Sequence, residues 1–205
     1  MRTLLIATTN RDKVREVREI LNGTPFDLVT LADYPPVAAP EETGRTFEEN
    51  AELKALYYAA ATGALTVAED SGLEIDPLGG APGVESARYG GAGLSYPDKF
   101  SRLYEELAAS CAAPETWTAR FVCAVCLVEG GVVRFATRGT VEGRVARAPA
   151  GQGGFGYDPI FFYPPFGVTL AEAGDRKSTV SHRGEAFRAL RAFLAGAPQS
   201  PAASR

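Results

Sequence analysis

Hydrophobic and polar positions change period several times along the chain. "RTLLIAT" near the start is a short apolar run, the pattern of a buried strand. In "TNRDKVREVREILNG" the apolar residues Val14, Val17, Ile20 and Leu21 recur at helical spacing, and Gly23 closes the segment. "FDLVTLADYP" predicts a second strand and turn, and the proline-rich "PPVAAPEETGR" a loop. A second helix is predicted over "TFEENAELKALYYAAATG". It opens on a T-x-x-E capping box, Thr46 to Glu49, and carries Ala51, Ala55, Leu56 and Ala59 as its buried stripe. "ALTVAEDSGLEIDPLGG" predicts a strand whose apolar run breaks at Glu69-Asp70, then a second short strand after Gly72. "YPDKFSRLYEELAAS" places Phe100, Leu103, Tyr104 and Leu107 on one helical face. "WTARFVCAVCLVEGGVVRFATRGTVEGRVA" predicts two or three antiparallel strands turning at Gly130-Gly131. "GGFGYDPIFF" is a loop, and "SHRGEAFRALRAFLAG" a last helix with Ser181 as its N-cap. Strands and helices alternate early and a meander follows, with no internal repeat and no linker-like break. The pattern predicts a mixed α/β sheet in two lobes, one domain over 1–195, with a disordered tail over 196–205.

Composition narrows the class. With 205 residues, 45% hydrophobic and 22% charged, the chain has the make-up of a soluble enzyme-sized protein. No apolar run approaches the roughly 20 residues of a membrane span. The N-terminal run is too short for a signal peptide, so a cytoplasmic location without a membrane partner is expected. A formal net charge of −4 lacks the basic excess of a duplex-binding surface, so no nucleic-acid partner is expected. "CAVC" has a metal or redox spacing, yet it lies in a predicted strand, where residues three apart point to opposite faces. Cys123 and Cys126 therefore read as core residues. His182 is the one histidine, which rules out any site needing two histidine ligands.

Three stretches could carry chemistry. "ATTNRDK" sits between the first strand and first helix, where amides and the helix dipole favour an anion. Thr8, Thr9 and Asn10 add short polar side chains and Lys13 a charge one turn in. It is not a Walker loop, and on spacing alone phosphate binding and simple N-capping by Asn10 both stand. Asp70, at a strand end before Ser71, and the Glu41-Glu42 loop bring hard oxygens from two elements, which suits Mg²⁺. An exposed acidic turn is the alternative there. In "RKSTVSHRGEA", His182 and Arg183 fall in a first helical turn, where positive charge is disfavoured unless something beyond the helix takes those donors.

Several long motifs occur in one order: "ATTNRDKVREVREIL", "EETGRTFEENAELKA", "AEDSGLEIDPLGGAPGVESARYGG", "TARFVCAV", "GGFGYDPIFF" and "SHRGEAFRAL". In these the chain resembles the inosine/xanthosine triphosphate pyrophosphatase family from near residue 3 to near residue 194. The resemblance implies an elongated mixed α/β fold, two lobes around a central active-site cleft, and commonly a homodimer. It implies hydrolysis of ITP, dITP and XTP to the monophosphate and pyrophosphate. The triphosphate would be held by Thr8, Thr9, Asn10, Arg11, Asp12 and Lys13 with Lys54. Glu41 and Asp70 would bind Mg²⁺, with Asp70 also the general base, and Ser71 would touch the nucleotide. Phe155, Gly156, Tyr157 and Asp158 would line the base pocket, completed by Lys177, His182 and Arg183. The chain departs from the family's usual wording in having Glu69 before Asp70 and Asp12 before Lys13. A pyrimidine triphosphatase and a nucleotide sensor remain rival readings of the same residues.

Overall fold

The computed structural model describes residues 2–91 and 93–196. Among these a seven-stranded mixed sheet runs in the order β2-β1-β3-β4-β5-β6-β7. β1 (Arg2–Ile6) lies between two parallel neighbours, β2 (Phe26–Thr30) and β3 (Leu65–Ile75). The crossovers are α1 (Arg11–Leu21) and α2 (Phe47–Thr62). Beyond β3 the sheet is antiparallel. β4 (Thr118–Glu129) and β5 (Val132–Val145) form a long hairpin, followed by β6 (Phe161–Tyr163) and β7 (Val168–Thr169). α3 (Tyr96–Ala109) joins β3 to β4, and α4 (Lys177–Val180) leads into α5 (His182–Gly196).

The lengths of β3, β4 and β5 make the two lobes, because each strand runs through both. In the first lobe β4 alternates strictly. Cys123, Val125 and Leu127 pack on α1 and α5 through Val17, Leu21, Phe187 and Leu190. Val122, Ala124, Cys126 and Val128 pack on the Ala51-Ala55-Ala59 stripe of α2. The two cysteines thus lie on opposite faces, both buried, as their spacing in a strand requires. In the second lobe Leu73, Ile75 and Phe121 pack on Phe100, Leu103 and Leu107 of α3. Each such fully buried leucine contributes roughly 1.5–3 kcal/mol. The other face of this lobe is polar, with Arg120 paired to Asp76 and Glu142.

Local chemistry starts and stops the helices where the sequence places them. Asn10, Thr46 and Ser95 each accept from a first-turn amide, and Ser181 Oγ accepts from Gly184 N at 2.8 Å. Gly63 ends α2 at φ 69°, a left-handed position that glycine takes without strain. The meander holds two strands over 118–145, within the two or three expected. Two expectations change. The Glu49 carboxylate of the capping box reaches the amide of Arg45 rather than that of Thr46. And β3 does not break at Glu69-Asp70: both carboxylates are buried beside lysines, so the strand continues to Ile75. The expected tail lies, from residue 197 on, outside the described residues.

Candidate active site

Strand alternation sends two adjacent carboxylates of β3 to opposite sides of the sheet, at the junction of the lobes. Asp70 turns toward α2, where Lys54 Nζ sits 2.8 Å from Oδ1. The same ammonium lies 2.7 Å from Glu42 Oε1, while Arg88 holds the other Glu42 oxygen at 2.9 Å. Asn50, fully buried, donates to Asp70 Oδ2 at 3.4 Å and accepts from Gly44 N at 2.8 Å. It thereby fastens the loop that carries Glu42 to α2. Thr8, Thr9 and Lys13 close this polar cavity of ≈ 170 Å³ opposite Lys54 and Asp70. The structure places Glu42 at this point, not Glu41. Glu41 is exposed and does not line the cavity, because the 40s loop turns its side chain outward while Lys54 and Arg88 draw Glu42 in.

Glu69 faces α1 and α5. Lys13 Nζ approaches its Oε1 to 2.5 Å, Arg183 Nη2 its Oε2 to 3.4 Å, and the Cys123 thiol donates to Oε2 at 3.1 Å. Arg183 Nη2 also donates to Ser71 Oγ at 2.9 Å, and its Nη1 to Glu16 at 2.8 Å. On this side opens a second cavity of ≈ 230 Å³, walled by Phe155, Gly156, Tyr157, Phe121, His182 and Arg183. Lys13, Ser71 and Ala87 line both cavities, so the two adjoin.

"GGFGYDPIFF" now has a physical reading. Asp158 is buried, accepts from Phe155 N at 2.7 Å and binds Lys177 Nζ at 2.7 Å. It therefore fixes the loop rather than facing solvent. Gly154 sits at φ 70°, and a Cβ there would collide with the Asp158 carboxylate. The loop so held presents the Phe155 ring to the cavity, with Lys177 Nζ 4.7 Å and Arg183 Cζ 5.6 Å from its centroid. Tyr157 is buried and donates to Ser86 O at 2.8 Å, so part of its work is structural. Phe161 is a core residue of the second lobe.

Burial and charge set the protonation states. Burial raises the pKa of Asp70 above the ordinary aspartate value, against the pull of Lys54. Burial also raises that of Asp158, against Lys177. Glu69 is fully buried too, yet Arg183 and Lys13 together overcome desolvation and hold its pKa well below the usual range. His182 is pushed far down by burial and then by Arg183, so its ring, stacked on Phe121 at 4.8 Å, is neutral. Its Nδ1 and the Arg183 Nε are buried without a partner, and both residues line the base cavity.

Most of the residues expected from sequence come together here: Thr8, Thr9, Lys13, Lys54, Asp70 and Ser71 around one cavity, Asn10 and the remaining ones around the other. The Asn10 carbonyl oxygen of the side chain is engaged by the amides of Asp12 and Lys13. Arg11 is exposed and lines neither cavity. Asp12 turns to Arg15 at 2.9 Å, which removes its charge from the cavities. Sequence reading passes over Glu16 and Asn50, and notes Glu69 as a departure from the family's wording without giving it a role. Glu16 stands one turn after Lys13 on α1, a spacing that marks it in principle. Asn50 reads as an ordinary helix residue, and burial reveals both it and the part Glu69 plays.

Comparison with known proteins covers nearly the whole chain. A family model described as the Ham1 family matches residues 4–193. The dITP/XTP pyrophosphatase of an Exiguobacterium species is 46% identical, over 93% of this chain and 96% of that protein. That of a Thermus thermophilus strain is also 46% identical, over 95% and 93%. The solved structure of a HAM1 protein from Coxiella burnetii superposes with a TM-score of 0.90 at 36% identity, covering 96% of this chain and all of that one. In sequence, in fold and in the ordered motifs that meet at its cleft, the chain belongs to the Ham1 family.

Proposed function

We propose that the chain is a nucleoside triphosphate pyrophosphatase. It hydrolyses the deaminated purine nucleotides ITP, dITP and XTP to the nucleoside monophosphate and pyrophosphate, keeping them out of DNA and RNA. The observation that carries the reading is the pair of partnerless buried nitrogens, His182 Nδ1 and Arg183 Nε, in residues that wall a cavity together with an aromatic ring, beside a second, lysine-lined cavity. Stacking on Phe155 supplies about 1–3 kcal/mol for any base. Inosine and xanthosine carry an oxygen at purine position 6, which the buried guanidinium can satisfy. Adenine offers an amino group there and leaves the donor unmet, a cost of about 1–3 kcal/mol. Relatives at 46% identity that bear the name dITP/XTP pyrophosphatase support the same substrate class.

In the phosphate cavity, Asp70 takes the proton of a water whose oxygen attacks the α-phosphorus. The bond to the oxygen between the α- and β-phosphorus breaks, and pyrophosphate leaves. Burial, which raises the pKa of Asp70 against the pull of Lys54, makes it a stronger base than a free aspartate. Lys13 and Lys54 offset the leaving group's charge. Glu42 and Asp70 fit Mg²⁺: two hard oxygens from separate elements already converge on one cation, the Lys54 ammonium. Among the described residues no group of three acidic, histidine or cysteine side chains forms, so phosphates and water would complete the shell. When bound, the ion supplies charge neutralisation on the phosphate oxygens. No helix among the described residues is long and apolar enough to cross a membrane. A cytoplasmic homodimer is part of the same proposal.

The test is pyrophosphate release with Mg²⁺ from ITP, XTP, ATP, GTP and a modified pyrimidine triphosphate, side by side. Rapid release from ITP and XTP alone is expected. Release of single phosphates, or preference for the pyrimidine, would move the chain to the rival enzyme class. Nucleotide binding without product would make it a sensor.

A further inference from the structure

Among the described residues Glu69 is the one carboxylate that pairs with cations of both halves of the cleft. Its oxygens hold Lys13, which lines both cavities, and Arg183, which lines the base cavity and is itself almost wholly buried. For Lys13 this is the one ion pair its side chain makes among the described residues. Arg183 has Glu16 on its other nitrogen, and Glu16 also reaches Lys177 at 3.5 Å. Lys13 and Arg183 are therefore joined through Glu69 and, among the described residues, through no other acidic group. Asp70, the neighbour in sequence, is turned to Lys54 on the opposite face and takes no part.

We propose that Glu69 is a positioning residue that couples base recognition to triphosphate binding. By holding Lys13 and Arg183 on one carboxylate, it makes each cation's placement depend on the other's. A base that draws Arg183 into its bonded position leaves Glu69 anchored, and Lys13 stays set for the phosphates. A base that leaves Arg183 unsatisfied loosens the same carboxylate and with it the lysine. Selectivity then shows in phosphate binding and turnover as well as at the base. The inference rests on the proposed substrate class and adds a route by which that class is enforced. Cys123 completes the arrangement by donating to the oxygen that Arg183 shares, which fixes the rotamer of Glu69 from below.

Glu69→Gln keeps the volume and removes the charge, and Glu69→Asp keeps the charge. For Glu69→Gln the ITP:ATP ratio of kcat/KM should fall roughly fivefold or more, with kcat for ITP falling as well as KM rising. Glu69→Asp should restore most of the ratio. A merely structural role would lower Tm and reduce both substrates alike, leaving the ratio where it was. That outcome in a folded Glu69→Gln protein overturns the proposal. A second arm leaves Glu69 in place. The dissociation constant of the α,β-methylene analogue of ITP is measured for Lys13→Met, Arg183→Met and the double variant. Coupled cations should give losses that fail to multiply by roughly fivefold or more; independent losses overturn the proposal even if Glu69→Gln does not fold. A wild-type chain that does not discriminate ITP from ATP at all overturns the substrate reading too, and is thereby told apart from a failure of Glu69 alone.

Discussion

His182 lies face to face with Phe121, next to a guanidinium and sealed from water. Burial and Arg183 hold its pKa far below 6.5, whereas the unfolded chain takes up a proton near that value. Below about pH 6.5 the unfolded state therefore binds more protons at this site than the folded one, and stability falls as pH falls. The slope has a ceiling of about 1.4 kcal/mol per pH unit for one group. No other side chain has an ordinary pKa in this window, since His182 is the one histidine. We expect Tm of the nucleotide-free protein to fall steadily from about pH 6.5 to 5.5, and His182→Asn to flatten that limb. Because the raised carboxylates Asp70 and Asp158 act with the opposite sign, the comparison with the variant decides: a His182→Asn profile parallel to that of the wild type would show that the ring does not set this limb. Asp158 gives the companion lesson. Its letter in the sequence fits a base contact or a loop brace equally well, and only the 2.7 Å bonds from Phe155 N and Lys177 decide for the brace.

Elements, unlike single side chains, are largely written in period and punctuation. The helices α1, α2, α3 and α5 follow from their 3.6-residue stripes and their caps, which are local interactions and so visible locally. β3 escapes the pattern at Glu69-Asp70 because alternation counts a carboxylate as a surface residue. Here Lys13 and Lys54 arrive from distant elements and make burial tolerable. The choice between Glu41 and Glu42 is hidden for a similar reason, since nothing local says which of two glutamates a loop turns inward. α4 is a single turn, too short for any period. Gly139 on β5 shows what such packing demands. A Cβ there would overlap the His182 carbonyl oxygen and lie 2.9 Å from Ala186 N, both backbone atoms that cannot swing aside. Gly139→Ala should push the start of α5 off the sheet, with a cost of about 1–3 kcal/mol for overpacking. Because that turn carries His182 and Arg183, the ITP:ATP ratio should drop together with the urea midpoint. A drop in the midpoint with selectivity intact would mean that the helix start relaxes without moving its side chains.

On the scale of the whole molecule, the cleft is a set of cations already held by carboxylates. Lys54 is the clearest case, since its ammonium occupies the point where the Glu42 and Asp70 oxygens converge. Burial works against that charge, but the two carboxylates more than compensate and raise its pKa. A divalent ion seeking the same oxygens must displace Lys54 from both of its carboxylate partners. A triphosphate changes this, because its oxygens give Lys54 a new partner and the ion further ligands. Metal and nucleotide should therefore bind with positive coupling, each weakly alone, and linkage requires the effect to be equal in both directions. Bound Mn²⁺, read by its electron paramagnetic resonance signal, tests this without turnover. The nucleotide-free wild type should hold Mn²⁺ weakly, and the α,β-methylene analogue of ITP should tighten it by roughly tenfold or more. Lys54→Met should bind Mn²⁺ better than wild type when no nucleotide is present, and should lose most of the coupling. Glu42→Gln should abolish that binding where Glu41→Gln does not. Tight Mn²⁺ binding by the nucleotide-free wild type, no stronger in Lys54→Met, would mean that the ammonium and the ion do not compete. No binding in any of these proteins, with or without the analogue, would remove the metal from Glu42 and Asp70 altogether.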